Sequence, residues 1–278
     1  MTLSRTFPYL YKDLTGEGAP PSTLLTQSGF QQDGVSYFGS LLEPRTLDFK
    51  AVIQSGDRSN LMAMRDKIMR VFNPRLGKGV LLYNNGEADY RIEGAVYDGP
   101  HPIKGAGNES ATMQSFDIGI YCPRPAWTSH VQYAEKLVGF IGGLRLPYRI
   151  PYKLAEHGDK KVIDYQETLA APLLVEFRGP ATMPRITLEE TGLYIESTLE
   201  ILEGEKLFVD TFPYNFDAYK EDVNGNRIPA MNYISGASAQ LLLKQDFVLS
   251  YGINTLSFIA ASGNPEVYLY WRKQYPGV

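Results

Sequence analysis

Between Thr46 and Gln54 apolar and polar positions alternate, with Leu47, Phe49 and Ala51 on one side of an extended chain and Asp48 and Lys50 on the other. A period of two predicts a half-buried strand. The alternation returns from Thr112 to Cys122, where Phe116, Ile118 and Ile120 oppose Ser115, Asp117, Gly119 and Tyr121. That strand must stop at Cys122, because Pro123 and Pro125 remove two backbone donors and fix two φ angles. Between the two strands the period changes. Leu61, Met64, Ile68, Val71 and Phe72 form one stripe of a 3.6-residue repeat, which predicts a helix over Ser59–Phe72, roughly 20 Å long. Asp57 or Ser59 supplies the N-cap oxygen and Asn73-Pro74 the stop.

Around this frame the punctuation is dense. Phe7–Leu14 reads as a short edge-like segment and Thr15–Pro21 as a turn. Leu24–Tyr37 carries Gln27, Gln31 and Gln32, is broken by Gly29 and Gly34, and reads as a loop or exposed arm. Gly77–Asn84 and Asp89–Tyr97 flank Asn84-Asn85-Gly86-Glu87, a hairpin signal because Asn and Gly tolerate positive φ. Gly99–Ser110 reads as a loop. Strand, helix, hairpin and strand in this order predict an α+β unit over residues 1–127, with one amphipathic helix on an antiparallel sheet.

Residues 128–170 show no clean period and read as a connector with short strands; Leu137–Leu144, Leu146–Tyr152 and the charged turn Ala155–Lys161 all fall in it. From residue 171 to 278 short strands recur between turn signals. They are Leu173–Phe177, Arg185–Leu188, Gly192–Ile195, Ser197–Ile201, Lys206–Asp210, Ser238–Leu243, Val248–Leu249, Asn254–Ala260 and Glu266–Trp271. This predicts a β-sandwich. The fold class is therefore mainly β.

Composition narrows the chemistry. The chain has 278 residues, 44% of them apolar and 21% charged, with a net charge of -4; no basic run marks a nucleic-acid partner. The 19 Tyr, 26 Gly and 18 Pro suit short strands and tight turns. The N-terminus lacks a signal-peptide core and no apolar stretch would span a bilayer, so a soluble protein that begins in the cytoplasm is expected. Cys122 is the one cysteine. It reads as a small buried hydrophobe at a strand end, not as a nucleophile with a His partner.

His101, His130 and His157 lie apart, without metal-ligand spacing. Glu189/Glu190 and Glu203/Glu205 would serve glycoside hydrolysis only if they faced each other across a cleft, and they sit in turns. Asp222–Asn226 lacks the ligand spacing of an EF-hand and reads as a hairpin turn. Tyr214, Phe216, Tyr219, Tyr233 and Tyr251 are candidates for stacking on sugars. No catalytic, cofactor or metal site is expected, and no cofactor.

The order of these elements resembles that of the distal tail proteins (Dit) of long-tailed siphophages. Ile118, Ile120, Cys122, Pro123, Pro125 and Trp127 match that family's strand ending, although Trp127 lies farther from its proline than the family pattern places the aromatic. Gly204-Glu205-Lys206-Leu207-Phe208-Val209-Asp210-Thr211 and Gly252-Ile253-Asn254-Thr255-Leu256 match two strand motifs of its C-terminal domain. The resemblance spans nearly the whole chain. It implies a galectin-like or carbohydrate-module-like sandwich and a non-enzymatic part of the virion tail tip, assembled in the host cytoplasm. That part would be a homo-hexameric ring that joins the tail tube protein to a Tal-like hub protein and leaves a channel for DNA. Either Leu24–Tyr37 or the stretch from Gly77 to Ser110 would supply the arm that reaches a neighbour. Receptor-binding proteins or cell-wall glycan are further partners that it implies. A carbohydrate-binding or host-recognition module acting through the sandwich is the alternative, and a glycoside-active enzyme the third reading.

Overall fold

The computed structural model describes residues 1–138, 158–212, 217–236, 248–263 and 265–278. They form two compact units: unit 1 is Met1–His130 with Tyr275–Val278, and unit 2 is Val131–Gln274. Among the described residues there is one α-helix, and the fold is mainly β.

Unit 1 opens with β1 (Tyr9–Thr15), β2 (Ser22–Gln27), β3 (Ser36–Leu42) and β4 (Arg45–Gln54). Helix α1 (Arg58–Val71) follows, then β5 (Lys78–Asn84), β6 (Asp89–Ile103), β7 (Met113–Cys122) and β8 (Trp127–Ser129). The large sheet runs β1-β4-β7-β6-β8, with β5 also on β6. The two alternating stretches pair along their whole length, from Arg45 opposite Cys122 to Gln54 opposite Met113. Register is set by the apolar face, since a slip of one residue would expose the apolar set of the strand that slipped, Leu47 and Phe49 or Phe116 and Ile118. Leu61, Met64 and Ile68 of α1 bury themselves on that face, and Phe72 meets Phe49 edge-on at 5.9 Å. Asp57 is the N-cap, its carboxylate accepting from the Asn60 N–H at 2.7 Å. Val71, placed on the stripe by its spacing, is instead exposed. At the C-cap Phe72, whose N–H bonds the Ile68 carbonyl, takes the inward place.

The stretch 99–110 is a loop only from residue 104 onward. Strand β6 continues through Pro100 and Pro102 to Ile103, with breaks in register between Val96 and Asp98 and between Asp98 and His101. Those irregularities absorb residues that an even ladder would reject.

In unit 2 the strands are β9 (Tyr133–Val138), β10 (Gly158–Tyr165), β11 (Ala171–Arg178), β12 (Ala181–Thr182), β13 (Arg185–Leu188) and β14 (Leu193–Ser197). Then come β15 (Glu200–Ile201), β16 (Lys206–Asp210), β17 (Asp217–Glu221), β18 (Arg227–Pro229) and β19 (Ile234–Gly236). The last are β20 (Val248–Leu249), β21 (Gly252–Ile259), β22 (Ser262–Gly263), β23 (Glu266–Trp271) and β24 (Gln274–Tyr275), whose Tyr275 belongs to unit 1. One sheet has the order β18-β17-β16-β11-β23-β9 and the other β10-β21-β13-β14-β19. Val175, Phe177, Val209 and Leu269 of the first and Ile186, Ile195, Leu256 and Phe258 of the second share one buried core.

Two expectations change here. The charged turn at 155–161 yields, over its described residues, to β10, whose lysines are held by carboxylates: Lys160 by Glu189 at 3.5 Å and Lys161 by Glu135 at 2.8 Å. The strand read over Ser197–Ile201 is broken, because Ser197 ends β14 and its hydroxyl accepts from the Leu199 N–H. Ser238–Leu243 and Leu146–Tyr152 lie outside the described residues, as do Tyr214, Phe216, His157 and most of Leu137–Leu144.

Candidate functional site: a projecting arm and its clamped base

Strands β2 and β3 pair only with each other. Their ladder runs from Ser22 opposite Leu42 to Gln27 opposite Ser36, with one bulge beside Leu25 and Thr26. Residues that face each other across a ladder share a face, so Leu24, Tyr37 and Leu42 lie on one side of the ribbon and Leu25 and Leu41 on the other. Every one of them is exposed. At the tip, Gln32 accepts from the Gly29 N–H at 2.9 Å and donates to the Ser36 hydroxyl at 3.0 Å. This turn holds up Phe30, which is 96% exposed. Of the two stretches implied as an arm, Leu24–Tyr37 falls within the separate ribbon of β2 and β3, whereas the β5 and β6 part of Gly77–Ser110 is built into the large sheet.

The base of this arm is fixed by the residues around the end of β7. Arg45 begins β4, opposite Cys122 in register, and is 2% exposed. Its Nη1 donates to the carbonyls of Gly16, Glu17 and Gly18 at 2.9, 3.3 and 2.7 Å. Its Nη2 donates to the carbonyl of Pro276. The guanidinium lies 6.0 Å from the ring centre of Trp127, whose indole N–H donates to the Glu17 carbonyl at 3.2 Å. Val278 adds a backbone bond to Glu17. Gly16 has φ +88°, and a Cβ there would come within 2.0 Å of the Thr46 carbonyl oxygen, so the turn admits no side chain at that point. The turn Gly16–Gly18, three residues before Pro21 and the arm, is thus held by one cation, one indole and the returning segment Tyr275–Val278.

Burial lowers the Arg45 pKa from the ordinary arginine value. Its charge is met by carbonyl dipoles, an arrangement that leaves Nε without a hydrogen-bond partner. Cys122 is fully buried, and burial pushes its pKa up to about 11, with Arg45 working in the opposite direction. The fold favours the neutral thiol, so this contribution is complete below pH 9 and is lost as pH rises toward 11. Comparison with Cys122→Ala across pH 8–11 should show that loss as roughly 2–3 kcal/mol of unfolding free energy. A gap between the two proteins that does not change with pH would contradict it. Native Cys122 should also alkylate at pH 8 at least ~100-fold more slowly than in the unfolded chain.

The other candidates do not gather. His101 bonds Asp98 at 2.7 Å on an exposed strand, and the His130 N–H donates to Asp89. Glu189 is paired with Lys160, and Glu190 accepts from the Thr255 N–H. Glu205 accepts from Lys220 and from the Leu202 N–H, which together hold its carboxyl below the usual range. Asp222 accepts from the Asn224 and Asn226 N–H groups and closes an ordinary hairpin turn. Tyr219 stacks on Phe208 at 5.0 Å, with Arg227 over its ring at 4.5 Å, so that ring has no open face toward a sugar. Tyr233 and Tyr251 are exposed on separate segments. No described helix is long and apolar enough to cross a membrane.

The family model described as a phage tail protein RIFT-related domain matches residues 1–122. No curated protein matches the chain. Among solved structures, the Dit protein of phage SPP1, described as a paradigm of the hub adsorption apparatus in phages infecting Gram-positive hosts, superposes with a TM-score of 0.64. Its identity is 12%, over 96% of this chain and 93% of that one. The baseplate of phage p2 in its activated conformation with calcium gives a TM-score of 0.54 at 12% identity, covering 98% of this chain and 92% of that one. The strontium form gives 0.54 at 12%, covering 95% and 90%. The resemblance to the distal tail proteins read from the strand ending at Cys122 is thus matched twice: residues 1–122 are similar to the phage tail protein RIFT-related family, and the chain has the fold of the SPP1 Dit protein.

Proposed function

We propose that this chain is a structural component of the tail tip of a long-tailed phage or prophage. Six copies close into a ring that joins the tail tube protein to a Tal-like hub protein and leaves a channel for DNA. Unit 1 forms the ring and the unit 2 sandwich serves as the outward platform for further tail components. The observation that carries this reading is the β2–β3 arm. A two-stranded ribbon is marginal by itself in water, and this one exposes leucines on both faces, which suits a segment completed by another chain. A ring requires a heterologous contact whose rotation closes, and a projecting arm is suited to make one.

Light scattering with negative-stain imaging of the purified chain tests the proposal. The expected particle is about six times the 31.1 kDa chain, seen as a ring with a central hole. Particles of two or three chains without a hole would count against it.

A further inference from the structure

The β5–β6 hairpin turns through Asn84-Asn85-Gly86-Glu87, which holds one of the two Asn-Gly steps in the chain; the other is Asn224-Gly225. An Asn-Gly step can rearrange without an enzyme. The main-chain nitrogen of the glycine attacks the carboxamide carbon of the asparagine, a five-membered imide forms, and ammonia leaves. Glycine suits the attack because no Cβ crowds its nitrogen. The hydrogen bonds of the β5–β6 turn fall where this reaction needs them.

On the side of the electrophile, Asn85 Oδ1 accepts from the N–H groups of Glu87 and Ala88, each at 3.0 Å. The bond to Glu87 is an Asx-turn, which folds the carboxamide back along the chain toward the Gly86 nitrogen. Two main-chain donors on one carbonyl oxygen polarise it, and they stabilise the negative charge that the oxygen gains when its carbon is attacked.

On the side of the nucleophile there is a relay. The Gly86 N–H donates to Asn84 Oδ1 at 2.8 Å, and Asn84 Nδ2 donates to the Asp89 carboxylate at 2.8 Å. Hydrogen bonds in a chain polarise one another. The carboxylate makes the Asn84 oxygen a better acceptor, and that oxygen in turn raises the electron density on the Gly86 nitrogen. Asn84 and Asp89 are the last ladder pair of β5 and β6, so the sheet fixes the relay. A Cβ built on Gly86 would meet nothing within 4 Å, so the turn stands clear of the rest of the chain.

Asn224-Gly225 has neither part. Its Gly225 N–H closes the turn onto the Asp222 carbonyl at 3.0 Å, and the Asp222 carboxylate takes the N–H groups of Asn224 and Asn226. Among the described residues no N–H is directed at the Asn224 carboxamide oxygen.

We infer that Asn85 is a self-modifying site, which converts through a succinimide to aspartate and isoaspartate ahead of Asn224. Solvent base takes the Gly86 proton, the bond from the Gly86 nitrogen to Asn85 Cγ forms, and the Cγ–Nδ2 bond breaks with ammonia as the leaving group. Water then opens the imide at either carbonyl, and nothing is oxidised or reduced. The product adds a negative charge beside Glu87 and Asp89. Its isoaspartate form also lengthens the main chain by a methylene, which breaks the bond from the Asn85 N–H to the Ala88 carbonyl. The charge at this hairpin tip thus grows more negative as the protein ages.

The whole chain is held at pH 8 and 37 °C, and samples are taken for peptide mapping with isoaspartyl methyltransferase labelling. Asn85 should convert at least about fivefold faster than Asn224, and no more slowly than in the same chain unfolded in guanidinium chloride. Asn84→Ala and Asp89→Asn should each slow Asn85 by about tenfold and leave the Asn224 rate unchanged. The sign separates the relay from mere rigidity, because a looser turn frees the carboxamide and would raise the rate. Asn85→Gln, whose longer side chain would close a six-membered ring, should remove the label from the hairpin peptide. Slower conversion in the folded chain than in the unfolded one overturns the inference, as does an Asn85 rate that rises or stays level in Asn84→Ala and Asp89→Asn. Conversion at Asn224 equal to or ahead of Asn85 overturns it too.

Discussion

Replacing Arg45 with Met should lower the unfolding free energy of unit 1 by roughly 3–5 kcal/mol, although the new side chain fills much of the same volume. The reason lies in what is left behind. Four carbonyls, those of Gly16, Glu17, Gly18 and Pro276, take hydrogen bonds from this one guanidinium. A buried acceptor that loses its donor costs about 1–3 kcal/mol. The Glu17 carbonyl keeps its bonds from the Trp127 indole and the Val278 N–H, so the loss is smaller than four full penalties. Against a total stability of about 5–15 kcal/mol for a domain, this is a large fraction, and the first thermal transition should fall by on the order of 10 °C. Arg45→Lys should recover only part, since an ammonium cannot reach the turn and Pro276 with a planar fork. An Arg45→Met protein that melts within 2 °C of the parent would show that Trp127 and the Val278 N–H suffice to hold the turn.

The second large effect is on assembly and leaves the fold intact. Excising residues 22–42 and joining Pro21 to Glu43 through a short glycine-serine turn should abolish the proposed ring and leave a single-chain species. The ends are already joined, as the Glu43 N–H donates to the Pro21 carbonyl at 2.8 Å, so closure imposes little new order. None of the arm's leucines or aromatics belongs to the unit 1 core; the melting temperature should stay within about 2 °C, and mass in solution should read one chain where the proposed ring of the parent would read six. Hexamers that persist without the arm would transfer the ring interface to another edge of the large sheet.

The elements legible in the sequence were those whose burial follows one period. β4, β7 and α1 each carry most of their large apolar side chains on one face, so alternation or the 3.6-residue stripe located them to within a residue or two. The arm was legible only as polarity and glycine, because its leucines are exposed on both faces and thus show no single-face pattern. β10 was missed for the opposite reason: its lysines are partnered across strands far away in sequence, and a local reading sees a charged turn. Cys122, Pro123 and Trp127 were visible as a strand ending, and what they do was not. The role depends on Arg45, the Gly16–Gly18 turn and Pro276, which are brought together only by the fold. A buried arginine whose acceptors are all main-chain carbonyls leaves no acidic residue in the sequence to point to it.

The return of Tyr275–Val278 to unit 1 has a consequence for the order of events during synthesis. Ribosomes deliver chain N-terminus first, at roughly 5–20 residues per second. Residues 1–130 are therefore out, and their sheet can form, on the order of ten seconds before residue 276 arrives to accept its bond from Arg45. Until then the turn beneath the arm lacks one of its three holds. The turn at the base of the arm therefore acquires its last hold only after the whole of unit 2 has been synthesised.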